Sequence, residues 1–458
     1  MTGGSVLSAA IFALAATSVP DLQVPDPTTL RYDEDWSILA KAETRTGRWT
    51  EEFKYIPLDW NGSIYLTTGL EVRARNENYR NNLWGDAASS DDSYIWTRLL
   101  PYADLHVGNV RAFVQPIVAR ASSVANGPGP VDQTGTDLLQ VFGELSLSLS
   151  ASTLTLRGGR QMVSLGSERL VGTRYGPNVP RAFDGIRAIL RYGDLSASAL
   201  YLHPVRPGLQ SFDDRTNPDE ALWGLYTTVK AGSDILDLYW LANRNSTASY
   251  FQGNARSIRH TIGVRWAGER GALGWNVEAM GQIGRFGNDH IRAWSIASET
   301  TLRLSDTSLS PMLLTRLNYI SGDASPRDHV LGSFAALYPK GQYFGELSPL
   351  GPANLINAHF GLRTTPAPDV TAGVAVMAYW RAKKGDGIYD IPGHLLRAPT
   401  PGAARFVGKQ AEATLAWQAT PELSLSGSLS AFLAGEFLRD TGRHRTIAMA
   451  AIEAGFKF

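Results

Sequence analysis

The stretch LLQVFGELSLSLS, residues 138–150, decides the fold. Leu139, Val141, Leu145, Leu147 and Leu149 fall on one side of an extended chain, and Gln140, Glu144, Ser146, Ser148 and Ser150 on the other. Successive side chains of a strand point to opposite faces, so this alternation marks a strand with one greasy and one polar face. ELSLSGSLSAFLAGEF (422–437) repeats it, with Leu423, Leu425, Leu429, Ala431 and Leu433 against Ser424, Ser426, Ser428, Ser430 and Glu436. SIYLTTGLEVRAR (63–75) sets Ile64, Leu66, Leu70, Val72 and Ala74 against Tyr65, Thr67, Glu71, Arg73 and Arg75.

Alternation alone fits a soluble sandwich or a membrane barrel, and the connections separate the two. The pattern predicts about eighteen strands, from 62–75 through 423–438 to 446–458, many of them ten to fourteen residues long. Gly108-Asn109, Ala151-Ser152, Gly193-Asp194 and the segments 231–234, 268–271, 305–308, 366–369 and 420–422 read as tight turns. Longer links alternate with them: 76–92, 123–136, 163–180, 204–220, 246–255, 321–353 and 383–404. Two further outer links, near 285–289 and 439–445, are short. An up-and-down barrel with short periplasmic turns and long outer loops requires such alternation, whereas a Greek-key sandwich does not. The expected fold is therefore all-β: a closed transmembrane antiparallel β-barrel of about eighteen strands, at home in the bacterial outer membrane.

The barrel should occupy residues 61–458. MTGGSVLSAAIFALAATSVP at the start has a short apolar core and small residues after it, so residues 1–18 read as a signal peptide, though no Lys or Arg precedes the core. Residues 19–60 are charged and aromatic without period two, and should sit at the periplasmic mouth or tuck into the lumen. The chain closes on AAIEAGFKF, with Ile452, Ala454, Phe456 and Phe458 on one face. A final amphipathic strand ending in Phe is similar to the signal read by the barrel-assembly machinery. The remaining surroundings should be outer-membrane lipid and lipopolysaccharide.

Composition closes off other classes. The 458 residues carry 43 basic and 43 acidic side chains and no cysteine, which removes disulfides and thiolate chemistry and gives no basic footprint for nucleic acid. Eight scattered histidines show no metal-ligand spacing, and no nucleophile motif occurs, so neither an enzyme nor a cofactor or metal site is expected. GDGIYD (385–390) and SGDASPRD (321–328) offer carboxylates to Ca²⁺, a weak signal, since such loops are more often simply solvated.

If the apolar faces meet lipid, their partners line a lumen. That register places Arg73, Arg75, Arg98, Arg157, Arg187, Arg191, Arg316, Arg363 and Arg381 inside, among carboxylates that include Glu71, Asp104, Glu144, Glu278, Glu299, Glu412, Glu436 and Glu453. Guanidinium stays charged and grips carboxylates with paired hydrogen bonds, so such a wall favours anions. Cross-strand ladders that merely stiffen the barrel use the same residues.

The segment RGGRQMVSLGSERLVGTRYGPNVPRAFDG (157–185) carries Gly159-Arg160-Gln161, then Gly166, Arg169 and Leu170, then Asn178, Arg181, Phe183, Asp184 and Gly185. This resembles the bacterial alginate-export family of outer-membrane channels, as do RYDEDWS (31–37), YPKGQYFGE (338–346), GPANLIN (351–357) and RFVGKQ (405–410). The resemblance implies passive diffusion through an electropositive constriction, with an anionic polysaccharide or oligosaccharide as cargo. A general or small-solute anion-selective porin is the alternative. It further implies Arg157 and Arg160 at the constriction, with Arg169, Arg181 and Asp184 fixing the loop that folds inward. Strict alternation from Leu154 points Arg160 outward, so a bulge at Gly158-Gly159 would have to re-aim it.

Overall fold

The strands of this computed structural model, which describes residues 25–458, pair in chain order until the last meets the first. They are β1 (Ile64–Arg80), β2 (Asp92–Val107), β3 (Val110–Ser122), β4 (Gly135–Leu149), β5 (Ser152–Gln161), β6 (Phe183–Tyr192), β7 (Leu195–Arg206), β8 (Glu220–Ala231) and β9 (Asp234–Tyr250). The second half is β10 (Gly253–Arg270), β11 (Leu273–Phe286), β12 (Asp289–Arg303), β13 (Met312–Ile320), β14 (Leu355–Ala367), β15 (Val370–Arg381), β16 (Phe406–Gln418), β17 (Leu423–Ala434) and β18 (Ile447–Lys457). β18 pairs with β1 from Lys457–Glu71 to Ala448–Arg80, which closes an 18-strand antiparallel barrel. The terminal Phe458 extends the seam, exchanging backbone bonds with Leu70 at 3.0 and 3.2 Å. The expected signal peptide, residues 1–18, lies outside the described residues.

Burial is inverted relative to a soluble protein. On β4, Val141, Leu145 and Leu149 are 42%, 40% and 48% exposed, whereas Gln140 is wholly buried. The greasy face meets lipid, where a mid-bilayer Arg or Lys costs about 2–4 kcal/mol, and the polar face turns into the bore.

Three local departures from strict alternation matter. Leu139 is 4% exposed and faces inward, because β4 slips by one residue against Gln115-Pro116 of β3 and Leu139 becomes the extra residue of a bulge. The link at 246–255 shrinks to the turn Phe251-Gln252, since β9 and β10 both run on to it. β17 stops at Ala434, and a short helix, α1 (Glu436–Thr441), follows Gly435. Glu436 is therefore exposed on a helix instead of lining the lumen. Gly435 is needed there because a Cβ would press within 2.7 Å of the Phe406 carbonyl oxygen.

The N-terminal segment enters the bore. Tyr32 stacks edge-on against Phe113 and Phe142, at 5.9 and 5.3 Å, and its hydroxyl donates to the Met162 carbonyl at 2.8 Å. Further along, Trp49 and Phe53 pack against Phe458 at the rim where the barrel closes.

Candidate functional site

Two long outer loops turn into the bore because they carry apolar residues that the polar wall cannot bury alone. In the loop after β5, Met162, Val163 and Val171 are wholly buried and Leu170 is 4% exposed. In the loop between β13 and β14, Phe334, Phe344 and Leu350 are 1–3% exposed. The loops join by a short parallel bridge, Val171 to Tyr338, with Tyr338 N donating to Leu170 O at 2.8 Å and Gly172 N to Tyr338 O at 2.9 Å. Together they form a plug across the middle of the barrel.

Three of the arginines expected in the lumen, Arg73, Arg75 and Arg98, hold this plug. Arg98 is 1% exposed; it pairs with Glu71 at 2.7 Å and donates to the carbonyls of Tyr175 and Pro177. Arg73 donates to the carbonyls of Tyr175 and Gly176 at 3.0 and 2.6 Å. Arg75 gathers three carboxylates: Glu77 at 2.6 Å, Glu346 of the second loop at 3.0 Å and Glu453 of β18 at 3.2 Å. Arg157 pairs with Glu144 at 2.6 Å, and its guanidinium lies 4.0 Å above the Tyr32 ring, so the N-terminal segment covers it. Arg187 reaches Ser198 Oγ at 3.3 Å, and Arg191 is exposed near the periplasmic end of β6.

Arg169 fixes the first loop to β11 through Glu278 at 2.9 Å, and Arg181 donates to the Pro339 carbonyl at 3.2 Å, tying the first loop to the second. Asn178, wholly buried, adds bonds to the carbonyls of Thr97, Arg120 and Asp132.

Arg160, Asp184 and Arg381 lie elsewhere. Pairing runs through Arg160–Val141 and Arg160–Asp184 without a slip, so Arg160 keeps its outward register. Gly159 is kinked at φ +133°, where a Cβ would collide with the Val141 carbonyl oxygen, but the kink inserts no residue. Arg160 pairs with Asp184 at 2.8 Å on the outer wall, and Asp184 accepts from Thr216 of an outer link. Asp184 thus anchors that link and not the inward loop. Arg381 is buried beneath the outer loops, donating to the carbonyls of Lys384, Asp386, Ala403 and Ala404. Among the described residues, three carboxylates converge in the same outer region as Arg160, those of Asp137, Asp213 and Asp214, and Arg160 itself stands 3.7 Å from Asp137. The two loops with Ca²⁺-like sequences do meet, but through hydrogen bonds: Asp386 Oδ2 accepts from Asp323 N at 3.0 Å and from Ser333 Oγ at 2.5 Å.

Open space remains on the opposite arc. A cavity of about 450 Å³ runs from the short turns at Gly232-Ser233 and Ala272 up to Lys340, Gln342 and Glu346 on the underside of the plug. Its wall carries Arg303, Arg316 and Arg363 with Glu269, Glu299 and Glu412. Arg316 is paired with Glu299. Arg363 and the Lys340 ammonium form no hydrogen bond or ion pair among the described residues. Burial, and then the guanidinium groups of Arg316 and Arg169, pull the Lys340 ammonium down to about 8. Lys340 lies in YPKGQYFGE, a stretch whose Gly and Pro content marks a loop without revealing that it turns inward.

A closed barrel with a lipid-facing exterior, a polar bore and inward loops defines an outer-membrane channel of the porin type. A family model described as alginate export matches residues 64–450, and the chain belongs to the alginate export family. Its place is the bacterial outer membrane, and family and fold indicate a channel rather than an enzyme. No curated protein matches the chain in sequence. Solved structures with a similar fold include three Pseudomonas aeruginosa proteins. OpdO is 13% identical, with 86% of this chain and 97% of that one covered and a TM-score of 0.57. OccK11 (OpdR) is 12% identical, covering 88% and 97%, with a TM-score of 0.54. OccK2 (OpdF), solved in complex with glucuronate, is 10% identical, covering 85% and 98%, with a TM-score of 0.55.

Proposed function

We propose that this channel passes anionic saccharides, polymeric or oligomeric, by passive diffusion, and that Arg363 and Lys340 are the groups that meet them. The observation that carries this reading is the pair of cations facing the cavity without partners, where a carboxylate would find two strong donors already desolvated. Arg316 lies alongside but shares its charge with Glu299, which lets an anion be held and then released, as conduction requires. That OccK2 was solved with glucuronate supports a uronate-sized charge as cargo for a barrel of this shape. Arg73, Arg75 and Arg98 hold the plug in position, and Arg157 is covered by the N-terminal segment. The C-terminal strand, ending on Phe458, is proposed as the contact for the barrel-assembly machinery.

Single-channel recording with short uronate oligomers tests the cargo. Uronates should block current from the periplasmic side where neutral oligomers of equal length do not. Arg363→Gln with Lys340→Gln should weaken the block about tenfold or more, the worth of one lost charged hydrogen bond. Block of the unaltered channel should also weaken as pH rises through about 8, because Lys340 loses its proton there. Equal block by neutral and acidic oligomers would leave a general porin.

A further inference from the structure

The outer wall carries a second patch of charge, away from the lumen. At the outer ends of β9 to β12 the register aligns outward-facing side chains in rows. One row runs Arg244, Ile258, Arg285, His290; the next, one step deeper, runs Ala242, His260, Ile283, Arg292. Arg256 stands one step above Ile258. Directly beneath lies an apolar row, Trp240, Ile262, Gly281 and Trp294, with Trp240, Ile262 and Trp294 42–60% exposed.

Six basic groups thus crowd four adjacent strands, and those rows place no carboxylate outward. Arg256, Arg285, His290 and Arg292 are exposed. The guanidinium groups of Arg256, Arg285 and Arg292 form no ion pair or hydrogen bond among the described residues; that of Arg244 donates only to the Pro218 carbonyl at 2.9 Å. Neighbouring strands lie about 4.8 Å apart and side chains on one face recur about every 6.7 Å along a strand, so Arg256, Arg285 and Arg292 run in a diagonal line with successive positions about 8 Å apart, a spacing suited to a ligand that carries more than one phosphate.

Unpaired cations on a lipid-facing wall are costly unless the lipid supplies the counter-charge. The height of the patch says which lipid. It sits immediately above the exposed tryptophans that mark the edge of the apolar band, at the end of the barrel away from the short turns and both termini of the sheet. The outer leaflet of this membrane presents phosphorylated sugars at that level. We propose that Arg256, Arg285 and Arg292, flanked by Arg244, His260 and His290, form a binding site for the phosphate groups of the outer-leaflet glycolipid. Guanidinium binds phosphate through two parallel hydrogen bonds and needs no bridging divalent ion. The site is independent of the cargo in the lumen.

Native mass spectrometry of the purified full-length barrel in detergent tests this with three probes: bisphosphorylated lipid A, the same lipid dephosphorylated, and phosphatidylglycerol. The unaltered protein should retain the bisphosphorylated lipid well beyond the other two, a comparison that requires no variant. Arg256→Gln/Arg285→Gln/Arg292→Gln should lose affinity for it on the order of 100-fold, roughly fivefold per cation. Arg120→Gln with Lys409→Gln, exposed basic residues on other strands, should bind as before. Equal retention of the dephosphorylated lipid or of phosphatidylglycerol by the unaltered protein overturns the proposal. So does undiminished lipid A binding by a triple variant that shows the same heat-modifiable migration as the parent.

Discussion

Replacing Arg75 by Met removes a cation that ties the second inward loop to the seam of the barrel. Its guanidinium sends Nε to Glu77 at 2.6 Å, Nη2 to Glu346 at 3.0 Å and Nη1 to Glu453 at 3.2 Å, with both partners of each pair at least four-fifths buried. Methionine fills much of the volume, so the loss is chiefly electrostatic. Breaking a buried ion pair from one side costs about 3–5 kcal/mol. The share through Glu346 is the strength of one charge-assisted bond, about 1.5–3 kcal/mol. Glu346 keeps a bond from Gln342 at 2.8 Å and its own amide still donates to Glu412 at 2.7 Å, so the loop stays folded but undocks more often. A loss of that size raises the undocked population about 10- to 150-fold. Planar-bilayer recording reads this as brief excursions to higher conductance. Glu346→Gln should produce similar excursions with a smaller loss of thermal stability, because the contacts of Arg75 with Glu77 and Glu453 survive. The double variant should be less noisy than the sum of the two, since the second change removes a charge the first left stranded. Quiet Arg75→Met channels, or strictly additive effects, would show that the loop is held without this pair.

Two further perturbations separate the parts of the molecule. Burial raises the Asp323 carboxyl to about 6, and Asp386 adds to the effect. A folded-state value above the ordinary carboxylate range means that the junction of the outer loops gains stability as pH falls through 6 and lacks that gain above it. Amide exchange around Gly332, corrected for intrinsic rates, should slow roughly tenfold between pH 7.5 and 5, a figure discounted for the water that reaches this loop. Asp323→Asn should abolish that dependence, and a persisting one would assign the proton to another group. Arg160→Leu should leave anion selectivity unchanged, because Arg160 faces away from the bore, but should expose 207–219 to limited proteolysis through loss of the Asp184 contact. A shifted reversal potential with intact 207–219 would place Arg160 in the current path.

The strands were legible because lipid outside and water inside impose period two on every one of them, and loop length then reveals which end is which. The bulge at Leu139 was not, since a slip depends on Gln115 and Pro116 of another strand, and nothing in LLQVFGELSLSLS encodes its neighbour. Gly158-Gly159 misled for a related reason. A glycine pair permits both a bulge and a kink, and here the pairing with Asp184 selects the kink, leaving Arg160 outside. The lumen arginines could be placed on the inner face by counting, but their partners could not. Arg73 and Arg98 spend themselves on carbonyls about a hundred and about eighty residues away, and Arg75 on a carboxylate further still. Lys340 escaped because no periodicity marks a loop that turns inward.

The two readings of a lumen arginine, rigid ladder and contact for an anion, divide by position around the barrel. On the arc from β1 to β6, Tyr32 and the first inward loop occupy the bore, and Arg73, Arg98 and Arg157 are each engaged by a carboxylate, a carbonyl or an aromatic face. Removing such a group strands buried partners, so its loss registers as instability before it registers as altered transport. On the arc from β12 to β15 a cavity remains beneath the plug, and Arg363 keeps its charge available beside the paired Arg316. Neutralising Arg363 strands nothing. Its effect should therefore fall on selectivity alone, and this asymmetry follows from which half of the cylinder the chain's own N-terminal segment fills.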